Sequence, residues 1–320
     1  MILKSKLNAT ALAATRRFYS ASSIPPAQPF RTHTAEGAPT TQTFYDKDTA
    51  TWTYLLHCPK TQHAAIIDPV LNYDSSSGRI TTSSADGLLS FIESSKLSVQ
   101  HILETHAHAD HLTSAKYLSR QLNAPVSIGK RIEEVQRTFA ARYNLSLSSL
   151  EDSFDTLLDD DAAIRLGEHV GSVMHLPGHT PDHIGYVFGK HVFTGDSIFL
   201  DPVYTARADF PGGVAASLQS SIHKLMSLPP DYKLFVGHDY PGANREESCW
   251  TTVGDQLALN DHLKRDDFAA FRQNKDKTLS TPKLLHPAIQ FNIRGGRLPP
   301  PDDDGLSRFR IPITSTVDVL

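Results

Sequence analysis

Three imidazoles and one carboxylate lie within the seven residues Thr105 to His111, which read Thr-His-Ala-His-Ala-Asp-His. His106 and His108 are two positions apart, so in extended backbone their side chains project to the same side. Asp110 and His111 follow where a helix is predicted to begin, which allows all four side chains to converge. Zinc, iron and manganese accept these ligand types, and packing them without a metal would cost about 1 to 3 kcal/mol for each unpaired polar group. The segment therefore predicts a metal site, with a His-rich surface turn as the alternative.

Three further candidate ligands follow, each directly after an apolar run. They are His179 in a Pro-Gly-His-Thr run, Asp196 in Thr-Gly-Asp, and His238 in Gly-His-Asp-Tyr. Taken singly, a capping aspartate or a hydrogen-bonded loop histidine would explain each one. In this order behind the histidine-rich segment, they predict one metal centre that is built from distant parts of the chain.

Alternating strands and helices are predicted to position these ligands. The polar turn Asp46-Lys47-Asp48 divides Thr41 to Cys58 into a hairpin. Apolar runs predict further strands at Ala64–Asp68, Val99–Leu103, Val170–His175, Ile184–Phe188, His191–Thr194 and Lys233–Val236. Helical spacing predicts helices at Asp86–Lys96, Leu112–Leu122, Arg131–Tyr143 and Ala215–Leu228. The pattern indicates a layered α/β domain whose strands end in His and Asp.

The ordered ligand set resembles the signature of the metallo-β-lactamase superfamily over roughly Thr41 to Asn244. The resemblance implies an αββα metallo-β-lactamase sandwich, an α/β fold, with the metal at one edge. We expect a catalytic domain at 41–248, a linker at 24–40, and an extended C-terminal arm at 249–320 that is helical and rich in proline.

A finer resemblance comes from two runs near the predicted site. Ala206 to Gly213 and Val236 to Gly242 are similar to the persulfide dioxygenase (sulfur dioxygenase) family, and Asn292 to Pro300 resembles the arm of its bacterial and fungal branch. This resemblance implies one Fe(2+) per chain and the oxidation of glutathione persulfide, or a similar small persulfide, with O2 to sulfite and thiol in sulfide detoxification. The metal ligands carried over are His106, His179 and Asp196.

Other residues near these motifs receive supporting roles. Arg207 is the candidate for binding a substrate carboxylate, because its planar fork suits bidentate recognition, and a salt bridge to Asp209 is the alternative. Tyr240 is expected to donate a hydrogen bond near the iron or to be a packed aromatic. Some branches of the family carry Cys where this chain has Thr205. The residues expected to orient the ligands are His108, Asp110, His111 and His238.

The main alternative is a glyoxalase II-like hydroxyacylglutathione thioesterase with two zinc or iron ions. One ion would take His106, His108 and His179. The other would take Asp110, His111 and His238, with Asp196 as the bridge. Against it, the C-terminal part lacks a recognisable basic helical domain for glutathione. A metal-binding or assembly protein without activity is the second alternative, but the triad lacks no member.

Charge and hydropathy limit the partners. The 320 residues carry a formal net charge of −4 and no long basic run, which argues against a nucleic-acid partner. No apolar stretch has the length that a bilayer crossing needs, so no membrane partner is expected. The partners that the resemblance to persulfide dioxygenases implies are a small persulfide and O2, and a homodimer is left open.

Residues 1–23 have the composition of a mitochondrial transit peptide, because they contain basic residues, Ser and Ala, and the first acidic residue is Glu36. The segment predicts delivery to the mitochondrial matrix, and a disordered basic terminus is the alternative. Cys58 and Cys249 are the two cysteines, too few for a disulfide framework, which fits a reducing compartment.

Overall fold

The computed structural model describes residues 27–243 and 245–313. The predicted transit peptide at 1–23 lies outside these residues, so the mitochondrial matrix location stays a prediction. None of the helices in the described part combines the length and the apolar character that a membrane span requires.

The strands are, in chain order, β1 (Arg31–His33), β2 (Thr40–Asp46), β3 (Thr51–His57), β4 (His63–Ile67), β5 (Val70–Asp74), β6 (Arg79–Thr81), β7 (Ser98–Leu103), β8 (Leu112–Thr113), β9 (Val126–Gly129), β10 (Thr156–Leu158), β11 (Ala163–Leu166), β12 (His169–His175), β13 (Ile184–Phe188), β14 (His191–Gly195), β15 (Lys233–Val236) and β16 (Trp250–Thr252). The α-helices are α1 (Ser83–Ser94), α2 (Ala115–Leu122), α3 (Ile132–Tyr143), α4 (Ala215–Met226), α5 (Val253–Leu259), α6 (Phe268–Asp276) and α7 (Leu285–Asn292). A short 3-10 helix spans Leu147–Leu150.

Two large sheets form the centre of the domain. The first has the order β1-β2-β3-β4-β7-β9-β10, and the second runs β11 to β16 in chain order. A small third sheet has the order β6-β5-β8. Most neighbours are antiparallel, but β4, β7, β9 and β10 run parallel to one another, and β14 pairs in parallel with β15. Each parallel pair therefore brings two strand ends, and the loops that follow them, to the same edge.

Side chains of the first sheet alternate between two buried layers, as the period of a strand requires. In β3, Trp52, Tyr54 and Leu56 join the core that the two sheets share, whereas Leu55 points into a second cluster with residues of α1 and α2. Helix α4 packs its buried Leu218 and Ile222 into the shared core. The predicted αββα sandwich is confirmed, and so is the hairpin of β2 and β3, whose register pairs Asp46 with Thr51.

The elements at the two ends of the domain differ from the prediction. The described residues of the expected linker at 24–40, from 27 onward, contain β1, which pairs with β2 in the first sheet. At the other end, the domain extends beyond residue 248, because β16 pairs with β15 as the edge of the second sheet. The sequence shows only the length of each apolar run. It does not predict these short edge strands, because their pairing depends on neighbours that are distant in the chain.

The predicted helix at Leu112–Leu122 begins later than expected. Leu112 and Thr113 form β8 and pair with β5, and the helix starts at Ala115. The described residues of the predicted helical and Pro-rich arm at 249–320 include the helices α5, α6 and α7. Its extended part, among the described residues, begins after Arg297.

Asn292, at the end of α7, connects this C-terminal part to the histidine-rich segment. Its buried side-chain amide donates to the carbonyl oxygens of His108 and His111 at 2.8 and 2.7 Å and accepts from the Thr113 N–H at 3.0 Å. One side chain thus satisfies three backbone groups in a segment that cannot form regular ladders.

We predict that Asn292→Ala destabilises the protein by about 2 to 4 kcal/mol, because it leaves these buried backbone groups unpaired. Chemical denaturation of the purified variant measures the effect. Asn274→Ala on α6 is the matched control, since that residue is exposed. Equal midpoints for both variants would contradict the role assigned to Asn292.

Candidate metal centre

Three side chains form a compact group where β7, β12 and β14 end. They are His106, His179 and Asp196, and one ligand atom from each lies within 4.8 Å of the others. The Asp196 carboxylate oxygen Oδ2 is 3.9 Å from His106 Nε2 and 3.7 Å from His179 Nε2. All three residues are buried. The predicted triad therefore converges in the fold.

Hydrogen bonds orient both imidazoles of this group with Nε2 toward the carboxylate. His106 Nδ1 lies 2.9 Å from Thr105 Oγ1, and the Thr105 hydroxyl donates to Asp68 at 2.8 Å. His179 Nδ1 is 2.8 Å from the Arg207 carbonyl oxygen, which can only accept, so this nitrogen carries the proton. Such outer hydrogen bonds fix the tautomer of metal-binding histidines.

The donor atoms of the group fit a divalent cation. His106 Nε2 and Asp196 Oδ1 are buried and have no hydrogen-bond partner among the described residues. Burial keeps the pKa of His106 well below its usual value, so its imidazole is neutral. Burial opposes the charge on Asp196, but His238 and His179 outweigh it and lower the pKa of Asp196 to about 2. A neutral imidazole and a carboxylate are what Fe(2+) or Zn(2+) binds.

Two glycines permit the close approach of the strand ends. Gly195 has a φ of +46°, and a Cβ there would lie 2.6 Å from Thr105 Oγ1 and 2.8 Å from His183 Nε2. A Cβ at Gly237 would overlap with Asp196 Oδ1. The backbone must therefore lack side chains at both positions for the carboxylate to reach the imidazoles.

We predict that Gly237→Ala weakens metal binding by about tenfold or more, because the new methyl group must displace the Asp196 carboxylate. Metal per chain, measured after dialysis against a graded chelator, gives the effect. The control is Gly242→Ala in the same loop, where a Cβ meets nothing within 4 Å. Unchanged metal affinity in Gly237→Ala would show that Asp196 does not need this position.

A second group lies beside the triad and contains His108, Asp110, His111 and His238, again with atoms within 4.8 Å of one another. His238 Nε2 is 3.2 Å from Asp110 and 3.4 Å from Asp196, so this imidazole lies between two carboxylates. Burial opposes a charge on His238, but Asp196 and Asp110 outweigh it and raise its pKa to about 9. The side chains predicted to orient the ligands thus lie next to the triad.

His108 makes the strongest electrostatic contacts of this second group. Its Nε2 is 3.1 Å from Asp68 and 3.4 Å from Glu104, and all three residues are buried. Burial opposes a charge on His108, but Asp68 and Glu104 outweigh it and raise its pKa well above the usual value. These two buried carboxylates therefore favour the protonated form of His108.

The two predicted substrate-binding residues, Arg207 and Tyr240, line the same cavity as His179 and Asp196. Arg207 forms the salt bridge to Asp209 that the sequence analysis gave as the alternative. Its Nε and Nη2 donate to Asp209 at 2.6 and 2.7 Å, and Nη1 donates to the Ser280 carbonyl oxygen. A substrate carboxylate would have to compete with Asp209 for this fork. Tyr240 stacks on His238 with ring centroids 5.7 Å apart and is 45% exposed.

Several residues of the site were not predicted. Asp68 and Glu104 hold His108, and the Asp182 carboxylate accepts the Ala107 N–H at 2.8 Å. His183 stacks on His106 with centroids 4.8 Å apart, and its Nε2 accepts the Asp196 N–H at 2.9 Å. Asp68 and Glu104 follow apolar strands directly, as the predicted ligands do, so the same signal could have identified both.

Comparison with known proteins agrees with this geometry. The profile of the Metallo-beta-lactamase superfamily matches residues 46–238. The chain belongs to the metallo-β-lactamase superfamily. The predicted superfamily and fold are therefore confirmed, and all seven predicted ligand residues lie within or at the end of the matched region.

Members of the superfamily with different names resemble the chain. It is 42% identical over 276 residues to the Beta-lactamase hydrolase-like protein of Xylella fastidiosa (strain 9a5c), covering 85% of this chain but only 64% of that longer protein. It is 40% identical over 280 residues to Glyoxylase B2 of Dictyostelium discoideum, covering 85% and 96% of the two chains.

The predicted resemblance to persulfide dioxygenases is also confirmed. Human persulfide dioxygenase ETHE1, mitochondrial, is 28% identical over 257 residues, which cover 79% of this chain and 87% of that protein. The crystal structure of ETHE1 from Myxococcus xanthus superposes with a TM-score of 0.65 at 27% identity and covers 80% and 99% of the two chains. These similarities support a metal-dependent enzyme.

Proposed function

We propose that this protein is an iron(II)-dependent persulfide dioxygenase, which oxidises glutathione persulfide or a similar small persulfide with O2 to sulfite and thiol. The observation that carries the proposal is the triad of His106, His179 and Asp196, whose donor atoms face one another beside an open cavity. When bound there, iron(II) would offer adjacent open positions for a sulfur and for O2.

The cavity supports the proposal because it gives a small molecule access to the triad. It has a volume of about 710 Å³, and His179 and Asp196 are in its lining. This size lies within the range of pockets for small-molecule ligands. Phe199 and Val203 contribute apolar walls, so the part nearest the metal centre favours the sulfur end of a substrate over water.

Tyr240 provides a polar group in this apolar surrounding. Partial removal from water and the carboxylates of Asp110 and Asp196 raise the pKa of its phenol, so the hydroxyl stays protonated. Its ring lies against His238 and near Phe199, with a centroid distance of 6.3 Å to the latter. The phenol is therefore a neutral donor, and we assign it the role of orienting the substrate.

The second group supports a single metal rather than two. His108 is engaged by Asp68 and Glu104, and His238 lies between Asp110 and Asp196. A cation at the second group would have to displace protons that these carboxylates stabilise, whereas the neutral His106 needs no such displacement.

This difference predicts pH-dependent binding of a second ion. His238 is protonated below its pKa of about 9, so binding there must release a proton at neutral pH. We expect one zinc ion per chain to bind tightly at pH 7, and the dissociation constant of a second ion to fall about tenfold per unit as the pH rises toward 9. Indicator-competition titrations at several pH values measure both constants. Two equally tight ions at pH 7 would exclude this interpretation.

A dinuclear glyoxalase II-like thioesterase is the second candidate. It is favoured by the second group, whose four ligand atoms lie close enough for an ion. The name of the Dictyostelium relative agrees with it. The two candidates require different metal counts and different co-substrates, so one preparation can distinguish them.

We expect iron-loaded protein to consume O2 with glutathione persulfide and to form sulfite, and Asp196→Ala to lose iron and at least 100-fold of this activity together. An oxygen electrode and a sulfite assay on protein of known iron content provide the measurement. Asp266→Ala, an exposed carboxylate outside the site, is the control. Hydrolysis of a hydroxyacylglutathione thioester without oxygen uptake would replace the dioxygenase with the thioesterase.

A further inference from the structure

The C-terminal residues form one wall of the substrate cavity. Arg272, Lys275, Leu279 and Lys283 line it, and all belong to α6 or to the loop that follows. Three contacts fasten this wall to the segment 205–209. They are Arg272 Nη1 to the Thr205 carbonyl oxygen at 3.1 Å, the Ala208 N–H to Asp276 Oδ2 at 2.9 Å, and Arg207 Nη1 to the Ser280 carbonyl oxygen at 2.8 Å.

The four basic side chains of this cavity differ in what they can bind. The two guanidinium groups already have carboxylate partners, since Arg207 pairs with Asp209 and the buried Arg272 pairs with Asp276 at 2.6 Å. They hold the wall together, and a substrate anion would have to displace an internal partner from either one.

The two ammonium groups have no such partner. Neither Lys275 nor Lys283 has a carboxylate within 4 Å among the residues that the structure describes. Lys275 is half-buried, and its Nζ is 3.4 Å from His262 Nε2, whereas Lys283 is exposed at the mouth. Outside the metal centre, the acidic residue in the lining is Asp48, which lies on the turn between β2 and β3.

We propose that Lys275 and Lys283, rather than Arg207, bind the anionic end of the substrate, so that the enzyme selects persulfides that carry a carboxylate at a distance from the sulfur. This inference rests on the proposed function for the sulfur chemistry. The charges themselves lie on the wall of the cavity that contains the metal ligands His179 and Asp196, with the apolar Val203 and Leu279 also in the lining. A molecule with a sulfur at one end and a carboxylate at the other matches that distribution.

The test compares Lys275→Met/Lys283→Met with the wild-type holoenzyme on two substrates. Methionine keeps most of the apolar stem and removes the charge. We expect KM for glutathione persulfide to rise roughly tenfold, because charge-assisted hydrogen bonds are lost, with kcat changed less than twofold. KM for the uncharged 2-hydroxyethyl persulfide should stay within twofold. Lys277→Met is the matched control, since Lys277 is an exposed residue directly after α6 that does not line the cavity.

A second readout does not depend on catalysis. Calorimetric titration of zinc-loaded protein with glutathione should show about tenfold weaker binding in the double variant than in the wild type. If the double variant does not fold, Lys283→Met carries the test, because its side chain is exposed. Unchanged KM and unchanged glutathione binding would overturn the inference. Weaker glutathione binding without oxygen uptake by any form would instead support the lysines and reject the dioxygenase.

Discussion

The buried carboxylate of Asp68 organises the metal centre. It accepts the Thr105 N–H and hydroxyl at 2.8 Å each and lies 3.1 Å from His108 Nε2. Because Thr105 in turn contacts His106, one carboxylate fixes both histidines of the His-Ala-His run, each in a different orientation. Asp68 has a left-handed φ of 49°, which aspartate tolerates better than most residues, and this turn ends β4 where its parallel partner β7 ends.

Specific polar contacts also join the C-terminal residues to the catalytic unit. Asn292 holds the backbone of the histidine-rich segment, and the ion pairs of Arg207 and Arg272 hold the wall of the cavity. These contacts bury polar groups that have no regular ladder to satisfy them, so each needs a specific partner. An arm that only covered the domain would not require such pairings.

How far the sequence predicted this structure depends on whether the signal was local. Period-two and period-3.6 patterns identified the long central strands and most helices, and the order of His106, His179, Asp196 and His238 behind apolar runs predicted a shared centre. The partner of a charged side chain is a tertiary property. The fork of Arg207 could equally have been free, and only the fold places Asp209 and Ser280 against it. Short edge strands such as β1 were not predicted for the same reason, because their pairing with a neighbouring strand defines them.

Seven potential ligands in one cluster do not by themselves set the number of metal ions. The triad and the second group differ in how strongly their imidazoles already interact with carboxylates. Burial lowers the pKa of His106, whereas carboxylates 3.1 to 3.4 Å away raise the pKa of His108 and of His238. A cation that binds the triad does not have to release a proton from His106. A cation that binds the second group must replace an existing contact between an imidazole and a carboxylate. Protonation of His108 and His238 is therefore the physical reason why a fold that offers ligands for two ions would favour one.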